Sequence, residues 1–404
     1  MLEGFDVPAA TAGGGEGSRQ APISGTLTTS AAYNFNRDAA SVDHHNYRGL
    51  SRLRLKLGLE MDVEPAPDWQ THASGHAFYD AFYALRGRED FPGATLEAME
   101  RSIEPGEAWL RGRLGSWGDL KLGRQIMVWG RSDTLRVTDV LNPLDNREPG
   151  LTDIEDVRLP LTMARIDFYA GSWNLSALAI GEIRFNENPP FGADFATRAT
   201  PPPAESIPSS FGSNTEHALA LNGIFSRLDL SFYWAMVHND QPYQTTFPFA
   251  MRHAWLSMAG FAGNMTHGNW LLKTELARFD GLRLNGATTA QRRTDLLLGL
   301  EYSGVPDQTV SVEVVNRHLH GTVPAGNQEN RIQTAVRYQG NFHHGRLHAV
   351  VLNTTNGPGG GGFLRASLAY DVRDALTLTG GVMVFHGGDL DDRDRIFAEM
   401  KYSF

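Results

Sequence analysis

The sequence predicts an all-β fold, a transmembrane antiparallel β-barrel of about eighteen strands, with sixteen as the alternative count. Three observations support this prediction: apolar and polar residues alternate over many segments, short and long connections alternate in step with the strands, and an amphipathic last segment ends in Phe404. Alternation with a period of two gives a strand one apolar and one polar face. The recurrence of this pattern along the whole chain favours one closed sheet.

Composition excludes several classes of protein. The chain has 404 residues, no cysteine and a formal net charge of −10. Without cysteine there is no disulfide scaffold, cysteine zinc site, iron–sulfur cluster or thiol catalysis. The acidic balance, with both signs of charge interspersed, gives no support for a nucleic-acid partner. No apolar run approaches the roughly 18–20 residues that a membrane-spanning helix needs.

The clearest alternation covers residues 52–63. Leucine, methionine and valine occupy the odd positions, and Arg52, Arg54 and Lys56 begin the even ones. The predicted strands are 22–35, 47–63, 69–85, 105–114, 117–129, 157–170, 173–186, 214–226, 228–240, 252–263, 268–280, 293–303, 308–320, 331–341, 345–355, 361–372, 374–386 and 394–404. This strand content is far above the globular average and is expected for a closed transmembrane barrel.

Connection lengths provide an independent indication. Connections after even-numbered strands are short, whereas those after odd-numbered strands are mostly long, notably 36–46, 86–104, 130–156 and 187–213. Outer-membrane barrels have short periplasmic turns and long outer loops. The alternation therefore predicts a bacterial outer-membrane barrel that contacts membrane lipid and lipopolysaccharide.

The two chain ends complete the predicted domain organisation. The last strand places Met400, Tyr402 and Phe404 on one face, and this arrangement resembles the assembly signal that the barrel-assembly machinery of bacterial outer membranes reads. The start of the chain shows neither the positive charge nor the apolar stretch of a signal peptide. We therefore expect a mature form, with a flexible leader over 1–20 and the barrel over 21–404.

The most distinctive motif runs from Leu120 to Asp145. A strand passes through Gly123 and ends at Trp129-Gly130; Ser132 or Asp133 then caps an expected short helix that Pro143 stops. The run of Gly-Arg-Gln, Trp-Gly, Asp, Asn-Pro and Asp resembles the alginate-export type of outer-membrane barrel and related uncharacterised barrels associated with inner-membrane lipid exporters. The resemblance implies passage or export of a polymer or amphiphile, with no chemistry.

Charge distribution predicts a constriction inside the barrel. The connection 130–156 is acidic; it contains Asp133, Asp139, Asp145, Glu148, Asp153, Glu155 and Asp156, together with Arg131. The polar faces of neighbouring strands are basic and carry Arg52, Arg54, Lys56, Arg111, Arg113 and Lys121. An acidic loop folded against a basic wall would narrow the pore and place a field across it. The alternative is that these charges only solvate an outer loop and a wet lumen.

Arg124 breaks the alternation because it shares the parity of Leu120 and Leu122, which face lipid. A lipid-facing arginine at the bilayer midplane costs roughly 2–4 kcal/mol. We therefore predict either a bulge at Gly123 or a position of Arg124 near the membrane interface.

The predicted function is a channel or exporter that passes a polar polymer or an amphiphilic molecule across the outer membrane, with periplasmic transport components as possible suppliers of cargo. A general or small-solute porin and a structural barrel that holds a partner protein are the alternatives. No motif of an enzyme, cofactor or phosphate site is present, and the histidine pairs lack companion carboxylates at metal-binding spacing. We predict neither catalysis, cofactor nor metal.

Overall fold

The computed structural model describes residues 23–37, 45–152, 157–198, 200–246, 249–285, 289–324 and 326–404. The predicted leader lies outside these ranges. The strands are β1 (Ile23–Asn34), β2 (Gly49–Ala66), β3 (Trp69–Asp80), β4 (Arg101–Arg113), β5 (Gly118–Gln125), β6 (Leu161–Ala170), β7 (Trp173–Ile180), β8 (Glu205–Ser206), β9 (Glu216–Ile224), β10 (Leu228–His238), β11 (Tyr243–Thr246), β12 (Phe249–Arg252), β13 (Trp255–His267), β14 (Trp270–Leu282), β15 (Gln291–Val305), β16 (Gln308–His320), β17 (Asn330–Phe342), β18 (Leu347–Thr355), β19 (Gly362–Arg373), β20 (Leu376–His386) and β21 (Arg395–Ser403).

Eighteen of these strands form one antiparallel sheet that closes on itself where β1 pairs with β21. The other three, β8, β11 and β12, make a small separate sheet in the outer connections. The helical segments are short: α1 (Phe82–Arg86), α2 (Gly93–Met99) and 3-10 turns at Arg88–Asp90, Gly212–Asn214 and Gly388–Leu390. Among the described residues, no helix has the length and apolar character needed to cross a bilayer.

The predicted barrel is confirmed, and each of its eighteen strands corresponds to one predicted strand. On β2 the odd-numbered side chains point outward, as shown by Leu55 at 49% exposure, whereas Arg54 on the other face is only 8% exposed. All short turns, such as 67–68, 171–172 and 374–375, lie at one end, together with the start of β1 and the end of β21. The long connections lie at the other end, as the sequence predicts for an outer side.

Several strand boundaries differ from the prediction. The third strand ends at Asp80, because the Asp80 carboxylate accepts the N–H of Phe82 (3.1 Å) and α1 begins there. The fourth begins earlier than predicted, at Arg101, and the sixth begins later, at Leu161, after Pro160, which has no N–H for the ladder. The seventh ends at Ile180.

The fifth strand also ends early, at Gln125, because side chains take over its backbone hydrogen bonds. Ile126 N–H donates to the Glu107 carboxylate (2.8 Å), and Met127 N–H donates to Asn142 Oδ1 (2.7 Å). The helix predicted after Ser132 is absent, because the N–H groups of this segment point at carboxylates on the barrel wall.

The strand pairing on either side of Gly123 continues without a register shift, so the predicted bulge is absent although Gly123 has a φ of +124°. Arg124 instead fits the second alternative. It is the penultimate residue of β5, at the outer end of the strand, and forms an ion pair with Glu182 in the following outer connection.

The C-terminal residue takes part in closing the barrel. Phe404 and Gly25 exchange two backbone hydrogen bonds of 2.8 and 2.9 Å across the β1–β21 seam. A Cβ atom added to Gly25 would lie 2.5 Å from the Phe404 ring, so the absence of a side chain at Gly25 lets the ring cover the seam.

We predict that deletion of Phe404 reduces the yield of assembled barrel several-fold, because the seam loses two ladder hydrogen bonds and its covering ring. The measurement is the fraction of the barrel in isolated outer membranes that migrates as folded, heat-modifiable protein on electrophoresis. Ile396→Ala is the matched control, since Ile396 is 52% exposed and Phe404 59%. Equal folded fractions for the two variants would show that Phe404 has no special part in assembly.

Candidate functional site

The connection between β5 and β6 enters the barrel. We call its described residues, 126–152 and 157–160, the lumen loop. Met127, Trp129, Val137 and Leu141 of this loop are buried against inward-facing side chains of strands from β6 to β16. The Trp129 ring stacks on Tyr233 of β10 at a centroid distance of 4.7 Å. The apolar side of the loop is therefore packed onto the inner wall.

The Glu275 carboxylate of β14 holds the first part of the loop. Its Oε1 accepts the N–H groups of Arg131 (2.5 Å) and Ser132 (2.8 Å), and its Oε2 accepts the N–H (3.0 Å) and hydroxyl (2.7 Å) of Thr138. Glu275 is 1% exposed. A buried carboxylate is stable only when it is paired or hydrogen-bonded, and here the loop backbone supplies those bonds.

The Glu313 carboxylate of β16 holds Ser132 and the next three residues in the same way. It accepts the Ser132 hydroxyl (2.7 Å) and the N–H groups of Asp133 (2.8 Å), Thr134 (3.2 Å) and Leu135 (3.0 Å). Hydrogen bonds to charged acceptors each contribute about 1.5–3 kcal/mol. The two wall carboxylates thus replace the backbone hydrogen bonds that a helix would have made.

An ion pair adds to this attachment. Lys273 of β14 contacts the Asp133 carboxylate (2.5 Å) and the Glu301 carboxylate of β15 (3.1 Å). Lys273 is 7% exposed, so its ammonium group is largely shielded from solvent, whereas the Asp133 side chain is partly exposed.

The far part of the loop contacts a different wall. Glu148 bridges Arg52 (2.8 Å) and Arg54 (2.6 Å) of β2, and Arg54 lies 3.3 Å from Asp80. Burial acts to raise the pKa of Glu148, but the two arginines outweigh it and lower the pKa to about 2. Glu148 is therefore ionised, and the loop stays attached to β2, at any physiological pH.

Arg147, next to Glu148, makes contacts of the opposite sign. Its guanidinium contacts the carboxylates of Glu104 on β4 (2.9 Å) and Asp145 (2.6 Å) and lies 3.3 Å from Glu187 in the next outer connection. It also donates to the Ala98 carbonyl at the end of α2 (3.0 Å). Arg147 and Glu148 together fasten the loop end to β2, β4 and two other outer connections.

The two attachment regions lie on opposite sides of the barrel. Around the closed order of eighteen strands, β2 is the second strand and β14 the eleventh, so half of the circumference separates them in either direction. The lumen loop therefore crosses the lumen from wall to wall. Gly150 and Leu151 pack against Met383 of β20, two strands before β1 in this order, which extends the attachment on the β2 side.

A second connection also crosses the mouth. Asp194, between β7 and β9, accepts hydrogen bonds from Asn34 of β1 (3.0 Å) and Arg395 of β21 (2.9 Å). The carbonyl of Asp194 accepts Arg393 Nε (2.8 Å). The barrel is thus covered from above by one connection and crossed inside by another.

A family profile described as "Protein of unknown function (DUF1302)" matches residues 9–339. The chain belongs to the DUF1302 family. No curated protein sequence matches the chain. The family match does not confirm the alginate-export type that residues 120–145 resemble.

Solved structures similar to this DUF1302 barrel include a porin and an outer membrane protein. OccAB3 of Acinetobacter baumannii has a TM-score of 0.57 at 12% identity, covering 95% of this chain and 98% of that chain. A BenF-like porin of Pseudomonas fluorescens Pf-5 has a TM-score of 0.57 at 12% identity, covering 96% and 98%. The outer membrane protein OpdK of Pseudomonas aeruginosa has a TM-score of 0.53 at 14% identity, covering 95% and 98%. At these identities the likeness shows a shared fold.

The predicted basic wall is divided between two levels of the DUF1302 barrel. Arg52 and Arg54 meet the lumen loop, and Lys56 lies two residues further along the same inward face. Three other predicted residues lie near the short turns at the opposite end of the barrel from the long connections. Arg113 is 3.5 Å from Asp68 in a turn, Arg111 is 2.8 Å from Asp119, and Lys121 lies over the Trp109 ring at 4.0 Å.

Except for Glu148, the described acidic residues of the loop do not pair with the basic wall of β2, β4 and β5 as predicted. Asp133 contacts Lys273 on the opposite wall, and Arg131 donates to Ser231 of β10 (3.0 Å). Asp139 contacts Arg136 and Arg158, both at 2.9 Å and within the loop, and Asp145 contacts Arg147. Glu148 alone, among the described acidic residues of the loop, contacts Arg52 and Arg54. Asp153, Glu155 and Asp156 lie outside the described residues.

Sequence reasoning missed the residues that attach the loop most firmly, namely Glu275, Glu313, Lys273, Arg147 and Glu104. A signal for the first two was present: each is an acidic residue in the middle of an inward-facing strand parity. Parity places a carboxylate inside the barrel but does not indicate which loop backbone it holds.

We predict that Glu313→Gln speeds hydrogen exchange of the amides of residues 133–135 by about tenfold or more, because bonds to a charged acceptor worth about 1.5–3 kcal/mol are weakened. Mass-spectrometric exchange on detergent-solubilised barrel measures this. Glu60→Gln is the control, since Glu60 is exposed and distant from the loop. Unchanged exchange in Glu313→Gln would contradict the anchoring role.

We also predict a defined pH response at the other attachment. Because the pKa of Glu148 lies at about 2 in the attached state, against an ordinary 4.5, its stabilisation is complete above pH 4.5 and is lost as the pH falls toward 2. Exchange in residues 144–151 should be independent of this group from pH 8 to pH 5 and increase below it. Glu148→Gln should show the faster exchange of a detached loop end already at pH 7.

Proposed function

We propose that this chain is a passive channel of the bacterial outer membrane, in which the lumen loop limits the size and charge of the solutes that pass. The closed barrel with an apolar exterior, the outer loops on one side and the fold shared with outer-membrane porins support this proposal. Passage through such a channel follows the solute gradient, since the barrel has no energy source of its own.

The crossing of the lumen by the loop is the observation that carries the proposal. Its attachment to β2 on one side and to β14 and β16 on the other divides the lumen into narrower passages. Small polar solutes fit such passages better than a folded or branched polymer, which would require the loop to detach from one wall. We therefore favour the small-solute channel over the export of a polymer.

The attachments also place charges where solutes pass. On the β2 side, Arg52 and Arg54 face Glu148 and Asp80; on the β14 side, Lys273 faces Asp133 and Glu301. Ion pairs at the edges of a constriction produce a field across it, and rings of charge select solutes in pores. Each passage would thus discriminate by charge as well as by size.

Partners follow from the proposed location. We propose contact with outer-membrane lipid and lipopolysaccharide around the exterior and recognition of the last strand by the barrel-assembly machinery. The periplasmic transport components considered from the sequence are optional for a passive channel.

Single-channel recording in planar bilayers tests the proposal. Arg54→Glu sets a third carboxylate beside Glu148 and Asp80, so the end of the loop is repelled from β2. We expect a clear rise in conductance and a shift of selectivity toward cations.

Arg113→Glu is the matched control for this experiment, because it makes the same charge change at a periplasmic turn where the side chain is exposed. It should leave conductance close to that of the unmodified barrel. Equal effects of the two variants would argue against a constriction at Arg54. The absence of any conductance from the unmodified barrel would overturn the channel function itself.

A further inference from the structure

On one side of the barrel the strands β5, β7 and β9 are short, and we call this side the low wall. β5 and β7 have eight residues each and β9 has nine, whereas β2 has eighteen and β15 has fifteen. An eight-residue strand tilted by about 40° rises only about 20 Å along the barrel axis, less than the roughly 25 Å apolar band of an outer-membrane barrel. Because the periplasmic ends are joined by short turns, the missing height lies on the outer side.

The low wall begins with a strand edge that pairs with no described residue. β4 pairs with β5 only from Ala108 to Arg113, while its outer half from Arg101 pairs, among the described residues, with β3 alone. Pro105 lies in this outer half and offers no N–H on the open edge. A hydrogen bond from Ile126 N–H to the Glu107 carboxylate (2.8 Å) connects the edge to the lumen loop. We call the space between the outer half of β4 and residues 126–129 the side gap.

Exposed apolar side chains lie on the outer surface of the low wall and at the side gap. Ile103 on β4 is 86% exposed, and Val128, which follows β5, is 57% exposed. Phe211 is 58% exposed and lies over Gly181 at the end of β7, in a left-handed backbone conformation with φ of 67°. Exposed apolar side chains of this size are more stable against lipid than against water, as on the outward face of a membrane barrel.

The inner surface behind the side gap is apolar too. Leu161 and Met163 of β6 and Ile180 of β7 point inward and are at most 3% exposed, and Met127 of the lumen loop packs with them. An inward face of this kind is unusual in a water-filled barrel, whose lumen is polar. The lumen loop covers these side chains, so a hydrocarbon chain that enters the side gap would have to displace Met127 to reach them.

We propose that the side gap is a lateral portal through which a single-chain amphiphile exchanges between the lumen and the outer leaflet. The acyl chain passes between Ile103 and Val128, and the headgroup stays at the outer rim, where Arg124 and Glu182 form an ion pair on the lipid side of the barrel. This inference rests on the proposed function only in that the amphiphile reaches the portal through the same lumen. It adds a second class of solute and a second exit.

A lysophosphatidylcholine with a photoreactive group at the end of its chain tests the portal directly. In liposomes containing the barrel, illumination should label Leu161 and Met163, although both face inward. Leu297 and Val315 face inward on the far wall and are fully buried, so they should remain unlabelled. Labelling at all four positions would indicate entry through the mouth, and labelling at none would show that no chain enters; either result overturns the portal.

A crosslink across the side gap provides the matched perturbation. The chain contains no cysteine, so Glu107→Cys with Ile126→Cys introduces the sole thiol pair. Crosslinking should abolish labelling of Leu161 and Met163, and reduction should restore it, which also shows that the variant is folded. The same crosslink at Ala259 and Arg278, which are register partners on the fully paired β13–β14 seam, should have no effect. Labelling that persists through the Glu107–Ile126 crosslink would overturn the portal.

A second pair of variants avoids any risk from the crosslink. Ile103→Lys places a charge at the rim of the side gap and should reduce interior labelling several-fold. Ile332→Lys is the control: Ile332 is also an outward-facing isoleucine and, like Ile103 on β4, is the third residue of its strand, β17. This substitution should leave interior labelling unchanged. Equal labelling in both would contradict the portal. Conductance is recorded separately on the same samples, so a failed channel and a failed portal give different results.

Discussion

The backbone hydrogen bonds of the lumen loop are the constraint on which the site depends. A peptide segment placed inside a barrel loses access to bulk water on its packed side, and its buried N–H groups need acceptors. Glu275 and Glu313 provide those acceptors from the wall, and the loop N–H groups in turn stabilise two buried carboxylates. Neither partner is stable alone, so the loop conformation and the wall composition depend on each other.

The same principle explains why Arg147 and Glu148 are adjacent. The end of the loop meets a wall where Arg52 and Arg54 of β2 lie close to Glu104 in the outer half of β4, with β3 between the two strands. A dipeptide with one charge of each sign pairs with both strands, and the loss of either residue would remove an ion-pair partner from a largely buried charge on one of them. The attachment is therefore electrostatic at this end and based on backbone hydrogen bonds at the other.

The sequence allowed the strands to be predicted far better than the site. The strand pattern follows from a local rule, since lipid outside and water inside act on every second residue, and this rule assigned all eighteen barrel strands. It failed at Gln125, where the chain leaves the wall, because side chains such as Asn142 then replace the ladder. Parity also assigns a side chain to a face of the sheet but not to a height along the barrel. Arg54 and Arg113 both belong to the predicted basic wall, yet Arg54 meets the loop and Arg113 lies at a short turn at the opposite end of the barrel. The contact of Ser132 with Glu313 joins residues far apart in sequence, which no local pattern reveals.

The inward-facing apolar residues give the barrel two unequal halves. A wet lumen requires polar side chains on its wall, and the strands near β2 and β21 follow this requirement with Arg54, Glu399 and Lys401. From β6 to β16 the inward positions include Leu178, Ala218, Ala235 and Val315, which would be unstable against water and are instead covered by the loop. The loop thus removes from the lumen the half of the wall that is least suited to water, and leaves the polar half to line the remaining passage. The short strands β7 and β9 belong to the covered half, and β5 adjoins it. The barrel wall is therefore lowest beside the apolar inner surface, so the proposed side exit for a hydrocarbon chain lies next to the covered half and the polar path for a solute lies in the other half.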